Sequence, residues 1–374
     1  KENKFVKVKK ISKIIFINIF IITSILGIIE LIAGRWLGYL SKNIDYIQIP
    51  GLITNQKLKF DARVLYDSQE PVVIIYERDK FGYRSNDLNS KKSIVLTIGG
   101  STTDQKYVTE GKTWQDLLDS KLTKYDFVNG GVDGQSSYGH LKSINNWHSK
   151  YLNYSNLTHI IFYTGINDIR LIKNNYSDWD YAQSKKQYLK WFLKDNSFFI
   201  SKYYVLKNKI RYLKSKNKNI DPFSSHSARE IDFEKEGKRF EFNEDLNLID
   251  YSNYKEIFSN LLLDTRNNFP NTKILIIQQQ VPGCKFESKY IVYDRHPYDA
   301  KRMYGDNVNY CLELLKVYQL QENILSKLTS ITNINLLPMY LNDVIQDDGV
   351  YDYVHTNDKG SESIADYIKS VFID

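Results

Sequence analysis

Ser93-Ile94-Val95-Leu96-Thr97-Ile98-Gly99-Gly100-Ser101-Thr102-Thr103 is an apolar run followed by two glycines and a row of hydroxyl side chains. Ile, Val and Thr suit a pleated, half-buried surface, and the run is too short for an ordinary helix. It reads as a buried strand. The glycines permit a sharp turn at the strand end and leave room around Ser101. A serine on such a turn is one way to present a nucleophile. A plain strand with a Gly-Ser-Thr turn is the other reading, and the stretch alone does not separate the two.

Working outward, strand-like and helix-like segments alternate from Ser93 onward. Thr113 to Lys121 with Leu122 carries Trp114, Leu117, Leu118 and Leu122 on one helical face. Phe127-Val128-Asn129 is strand-like and runs into the turn Gly130-Gly131 to Gly134; Leu141 to Tyr151 is helix-like. Ile160-Ile161-Phe162-Tyr163 reads as a strand ending in Gly165-Ile166-Asn167-Asp168, and Lys273 to Ile277 as another after a helix over Ile257–Asn267. A helix over Asn307–Leu328, a last strand Ile334–Leu337 and a last helix Ser361–Val371 complete the series. Such alternation predicts a parallel sheet covered on both faces, with ligands beyond the carboxyl ends of its strands.

Between about 171 and 255 the alternation breaks down into a charged, aromatic stretch with Trp179 and Trp191, read as an insertion or lid, or as two surface helices with a loop near Asp221-Pro222-Phe223. Upstream, Val64-Leu65-Tyr66 and Val72 to Tyr76 are short strand-like runs in an appendage. The expected organisation is a basic N-terminus and membrane anchor over 1–35, a connector and appendage over 36–91, and the main domain over 92–374.

The formal charge is +7, which invites a nucleic-acid reading. Six lysines against one glutamate place +5 of it before residue 14, leaving +2 for the rest. There is a basic tip and no basic domain, so no nucleic-acid partner is expected. The apolar run Ile14 to Ile29, continued through Glu30 to Ala33, reaches the ~20 residues that span a bilayer. Lysines before it predict a cytoplasmic N-terminus and an exported remainder. A cleaved signal peptide and a buried soluble helix are the alternatives. Cys284 and Cys311 could pair in an exported domain or stay as two thiols, and their spacing does not resemble a metal site.

Four separated features converge on one sheet edge. Ser101, Gly134 and Asn167 each follow a predicted strand, and Asp352 and His355 stand three apart after the last one. A serine hydroxyl needs a base, histidine has the right intrinsic pKa, and a carboxylate on Nδ1 fixes its tautomer. The Ser101 and Gly134 backbone N–H groups and the Asn167 amide would receive a developing oxyanion. His140, His148 and His159 read as ordinary surface or strand-end residues, Asp294 to Pro297 as a loop, and Asp168 as a brace.

Gly99-Gly100-Ser101-Thr102-Thr103, Asn129 to Gly134, Gly165-Ile166-Asn167-Asp168 and Asp352-Tyr353-Val354-His355 resemble, in order, the four blocks of the SGNH (GDSL-like) hydrolase superfamily. The resemblance covers roughly 92–370 outside the insertion. It implies a three-layer α/β/α flavodoxin-like fold and esterase chemistry, with Ser101 as nucleophile, Asp352 and His355 completing the triad, and Gly134 and Asn167 in the oxyanion hole. Where many members have Gly-Asp-Ser-Leu, this chain has Gly-Gly-Ser-Thr. The expected function is a membrane-anchored O-deacylase acting on an envelope or extracellular glycan, without cofactor. Acyl transfer to a sugar hydroxyl and a non-catalytic scaffold on the same fold are the rivals.

Overall fold

The computed structural model describes residues 2–34, 51–84, 92–152, 156–174, 251–287, 290–293, 310–328, 331–352 and 354–372, apart from a few single positions. It also describes short pieces within 197–207 and 238–241 and the isolated positions 36, 49, 178 and 193. Trp179, Trp191, Asp221 to Phe223 and Asp294 to Pro297 lie outside the described residues, as do most of the 171–255 insertion and of the 36–56 connector. The chain divides into two units, 1–47 with 181–216 and 48–180 with 217–374.

In the first unit, helix α1 (Glu2–Ala33) contains the stretch Ser12–Ala33, long and apolar enough to cross a membrane and with none of its side chains buried. Its 22 residues would rise roughly 33 Å as an α-helix.

The second unit opens with an antiparallel pair, β1 (Gln56–Asp61) and β2 (Val73–Arg78). Of the expected strand at 64–66, Val64 lies outside the described residues, and Leu65 and Tyr66 are in a turn. Leu65 N and Tyr66 N both donate to the Ala62 carbonyl, and Asp61 accepts from the N–H groups of Arg63 and Val72. The apolar side chain of Leu65 serves a small cluster with Ala62, Ile74, Tyr107 and Tyr351 and not a ladder.

The run 93–103 then behaves as expected. Strand β3 (Ser93–Gly99) is buried from Ile94 onward and leads into a single helical turn, α2 (Ser101–Asp104). Helix α3 (Trp114–Lys121) starts on a capping box between Thr113 and Asp116. It is followed by β4 (Tyr125–Asn129), α4 (Ser137–Ser143), β5 (Leu157–Thr164) and α5 (Ile169–Asn174). The helix read over 141–151 begins at α4 and continues through a π turn at Ile144–His148 to Ser149–Tyr151. Next come β6 (Lys238–Glu241), α6 (Ser252–Asn268), β7 (Lys273–Gln278), β8 (Cys284–Glu287) and β9 (Tyr290–Tyr293). Helix α7 (Tyr310–Lys327), β10 (Ile334–Leu337) and α8 (Asp358–Val371) close the unit.

Five strands form one all-parallel sheet in the spatial order β10-β7-β5-β3-β4. Counting only these strands along the chain, the order is 2-1-3-4-5, the doubly wound flavodoxin-like arrangement. Val95, Phe127, Ile161, Tyr163 and Ile277 pack with Trp114 and Leu118 of α3 and Ile364 and Ile368 of α8. The alternate residues Leu96, Val128, Ile160, Phe162 and Ile276 are equally buried, and α4 and α7 each pack on α6 in a separate layer. Burial of both faces is why the strands read as unbroken apolar runs. Strands β6, β9 and β8 make a separate antiparallel sheet that the alternation did not announce.

Cys284 and Cys311 are joined, with 5.4 Å between their Cα atoms, and tie the start of β8 to the first turn of α7. A loop of this separation, 27 residues, contributes about 3–4 kcal/mol in the chain-entropy view. Cys284→Ser/Cys311→Ser is therefore expected to lower the urea unfolding free energy by about that amount. Urea denaturation of the double variant beside the parent protein checks it.

Candidate active site

The carboxyl ends of β3, β4 and β5 and the loop after β10 meet at one edge. Ser101 stands immediately after the β3 turn. His355 Nε2 lies 2.7 Å from Ser101 Oγ, and His355 Nδ1 lies 2.6 Å from Asp352 Oδ2. The other Asp352 oxygen accepts the backbone N–H groups of Val354 and His355, at 2.9 and 2.8 Å, so the carboxylate is fixed from both sides.

The loop is rigid for local reasons. Tyr351 N donates to the His355 carbonyl and Asn357 N to the Gly349 carbonyl, closing a tight hairpin. Asn357 then caps α8 by accepting from Lys359 N and Gly360 N. The Tyr351 ring lies nearly parallel to the imidazole, 9° between planes. Burial of the imidazole opposes its positive charge, but the Asp352 carboxylate, together with Asp133 and Asp104, outweighs it, and the His355 pKa is raised above its ordinary value of 6.5.

The double glycine has a steric cause. A Cβ on Gly100 would sit 2.3 Å from Asn167 Nδ2, and one on Gly99 would sit 2.0 Å from Thr103 Oγ1. Gly100 is small because the Asn167 amide lies directly against it. That amide donates to the Gln135 carbonyl at 2.8 Å, which brings the β4 turn to the same place. Gly134, one residue earlier, has φ +77° with nothing within 4 Å of a built Cβ, so conformation and not space requires glycine there. The Ser101 N–H, first in its helical turn, has no intrahelical acceptor by position. Ser101, Asn167, Asp352 and His355 are thus brought together, and Gly134 lies in the adjoining turn. Gly100→Ala is expected to push the Asn167 amide aside and cut turnover by about 10²–10³-fold, the usual effect of losing one oxyanion donor. Steady-state kinetics on a folded variant would check it.

Several residues around this edge escaped the sequence reading. Gln105, in a left-handed conformation at φ 48°, donates to Thr356 Oγ1 and Ser361 Oγ, both at 2.7 Å, and accepts from Trp114 N. It thereby ties the Ser101 turn to the residue beside His355. Gln279 does the same for the other side, donating to Thr102 Oγ1 and accepting from Ile166 N. Asp104 accepts from Arg78 Nη2 at 2.7 Å and from the Tyr76 hydroxyl at 2.9 Å, with both partners in the ion pair nearly inaccessible. Arg84 donates to the carbonyls of Asp104, Gln105 and Val108 and pairs with Glu110. None of these has a sequence signal beyond its type.

Asp168 braces as expected, accepting from Ser137 N and Ser137 Oγ at 2.6 Å and from the Tyr254 hydroxyl. Burial pushes its pKa up to about 6, against the pull of those hydrogen bonds. Asp178 grips the same turn from the other side through Ser136 N, Ser136 Oγ and Gly139 N. The three histidines read as surface or strand-end residues are buried instead. His140 and His148 are held neutral by burial, their pKa values depressed to about 3, and His148 contacts the Tyr83 hydroxyl at 3.0 Å. His159 lies within β5. Among the described residues no group of three metal-ligating side chains occurs.

No protein-family model and no curated protein matches the chain. Among solved structures it is similar to a member of the lipolytic protein G-D-S-L family from Veillonella parvula, at 14% identity, covering 75% of this chain and 98% of that one, TM-score 0.37. It is similar to an acetyl xylan esterase at 14% identity, 75% and 100% coverage and TM-score 0.37. A carbohydrate esterase family 3 structure from Talaromyces cellulolyticus gives 12% identity, 75% and 95% coverage and TM-score 0.36. The all-parallel sheet in the order 2-1-3-4-5 with helices on both faces is the three-layer α/β/α arrangement expected from the sequence. Likenesses this distant say nothing of chemistry, and the residues at this sheet edge must carry that alone.

Proposed function

We propose that the chain is a serine esterase of the SGNH type that removes O-acyl groups. The observation that carries this reading is the continuous relay from Asp352 Oδ2 through His355 to Ser101 Oγ, with links of 2.6 and 2.7 Å. Ser101 Oγ attacks the ester carbonyl carbon while its proton passes to His355 Nε2. The imidazolium that forms is stabilised by Asp352, and the oxyanion is received by the Ser101 and Gly134 N–H groups and the Asn167 amide. His355 returns the proton to the departing alcohol oxygen, leaving an acyl-Ser101. Water, deprotonated by His355, then attacks the acyl carbon, the bond to Ser101 Oγ breaks, and His355 returns the proton to Oγ as the acid leaves.

A raised His355 pKa fixes the direction of the pH dependence. Only neutral imidazole accepts the serine proton, so kcat/KM falls as pH drops through that pKa, and the midpoint of the acid limb should lie above 6.5. Asp352→Asn removes the largest of the charges that raise it. The acid limb should then move to lower pH while kcat falls by about 10⁴-fold, and a pH–rate series on both proteins checks the two together.

The substrate we favour is an O-acylated glycan outside the cytoplasm, because α1 is long and apolar enough to anchor the chain and its lysines lie before the apolar stretch. Detergent-solubilised full-length protein offered an acetylated oligosaccharide should release acetate in water alone. Turnover that requires a second sugar as acceptor would reassign the reaction to acyl transfer. Release of intact protein from membranes by high salt would remove the anchor from the proposal.

A further inference from the structure

Glu30 is an acid near the end of an otherwise apolar helix, and the first unit shows its use. Its Oε1 accepts Phe198 N and its Oε2 accepts Phe199 N, each at 3.1 Å, while Trp36 Nε1 donates to Oε1 at 2.8 Å. Ser197 Oγ accepts from Ile200 N. Three of the orphan N–H groups at a helix start are therefore satisfied, two of them by α1 itself. The described residues among 198–207 are helical, so this second helix begins against the end of the apolar stretch.

Three of its described residues are apolar or aromatic and exposed. Phe199, Tyr203 and Leu206 are 39%, 59% and 56% accessible, and their i, i+4, i+7 spacing places them in one stripe. At about 100° per residue, Lys202 falls roughly 40° to one side of that stripe and Lys207 roughly 40° to the other. Both lysines are exposed, and Lys202 Nζ lies 5.6 Å from the centre of the Phe198 ring. Long cationic stems flanking an aromatic and aliphatic stripe match the boundary between acyl chains and headgroups, with the ammonium groups reaching the phosphates.

We infer that the described helical residues 198–200, 202–203 and 206–207 present an interfacial face that lies on the bilayer at the end of α1, with Phe199, Tyr203 and Leu206 in the acyl boundary and Lys202 and Lys207 at the lipid phosphates. The inference rests on the reading of α1 as a membrane anchor, since continuity with that span is what places this face at the membrane surface. Glu30 then serves as a fixed bracket between an upright helix and a flat one.

The test uses the full-length protein in vesicles containing phosphatidylglycerol, with a nitroxide attached singly at Phe199→Cys, Tyr203→Cys, Leu206→Cys or Ile22→Cys. The native cysteines are bonded to each other and do not take the label. Collision with oxygen, which partitions into lipid, is compared with collision with a water-soluble nickel chelate. Labels at 199, 203 and 206 should favour oxygen at a shallower depth than the label at 22. Nickel-favoured collisions at all three, with the label at 22 still in lipid, would overturn the interfacial helix and leave the anchor standing. Low collision with both reagents would assign the face to protein contact and overturn it too. A nickel-favoured label at 22 would remove the anchor and this inference with it.

Discussion

Ser101→Ala is expected to lower kcat by about 10⁶-fold, the loss seen when a triad nucleophile is removed. The same loss is expected for His355→Ala, and the double variant should be no worse than either single one. Additivity fails because neither group does chemistry without the other: the hydroxyl is a poor nucleophile until its proton has a destination. Asn167→Ala is predicted to cost less, about 3–4 kcal/mol of transition-state stabilisation, because the backbone donors remain. Single-turnover kinetics on a chromogenic acetyl ester would rank the three. An Asn167→Ala variant as slow as Ser101→Ala would mean that the amide does more than receive charge.

The second large effect is on stability. Arg78 is buried and donates to Asp104, to the Gly131 carbonyl and to the Gly82 carbonyl, so it joins β2, the nucleophile turn and the β4 turn at one point. Arg78→Met leaves the Asp104 carboxylate without its cation in a site closed to water. Breaking one side of a buried pair costs about 3–5 kcal/mol, and that is the loss expected in the urea unfolding free energy. Removing both charges, in Arg78→Met/Asp104→Leu, should recover part of it, since the penalty comes largely from the stranded charge. Recovery should be incomplete because the Tyr76 hydroxyl and the two carbonyls also lose a partner. A double variant less stable than the single one would show that the pair itself is not what Arg78 supports.

These two effects mark the line between what could and could not be read from the sequence. Ser101 and Asn167 are legible because each follows a strand buried on both faces, and Asp352 and His355 because they stand three apart after the last strand; such strands end at one edge of a parallel sheet. Gly100 was legible as small but not as the neighbour of Asn167, because close approach is a tertiary fact. Arg78, Asp104, Gln105 and Gln279 carried no signal. Each is a polar residue whose long-range side-chain partners lie 26 to 256 positions away, and their burial follows from hydrogen bonds that no local pattern encodes. The same reason explains the histidines: His140 and His148 look like surface residues by type and become core residues once α4 packs on α6. The turn at Leu65 and Tyr66 is missed for the opposite reason, since three apolar residues in a row satisfy a strand pattern while the Asp61 carboxylate closes the loop.

The central claim, that Ser101 is an activated nucleophile, is tested most directly by intact-mass and peptide mapping after exposure of the full-length protein to a fluorophosphonate. One phosphonyl group should add, on Ser101, and the adduct should be lost in Ser101→Ala and strongly slowed in His355→Ala. An unmodified mass in a folded sample, or an adduct mapped to another residue, would contradict the account.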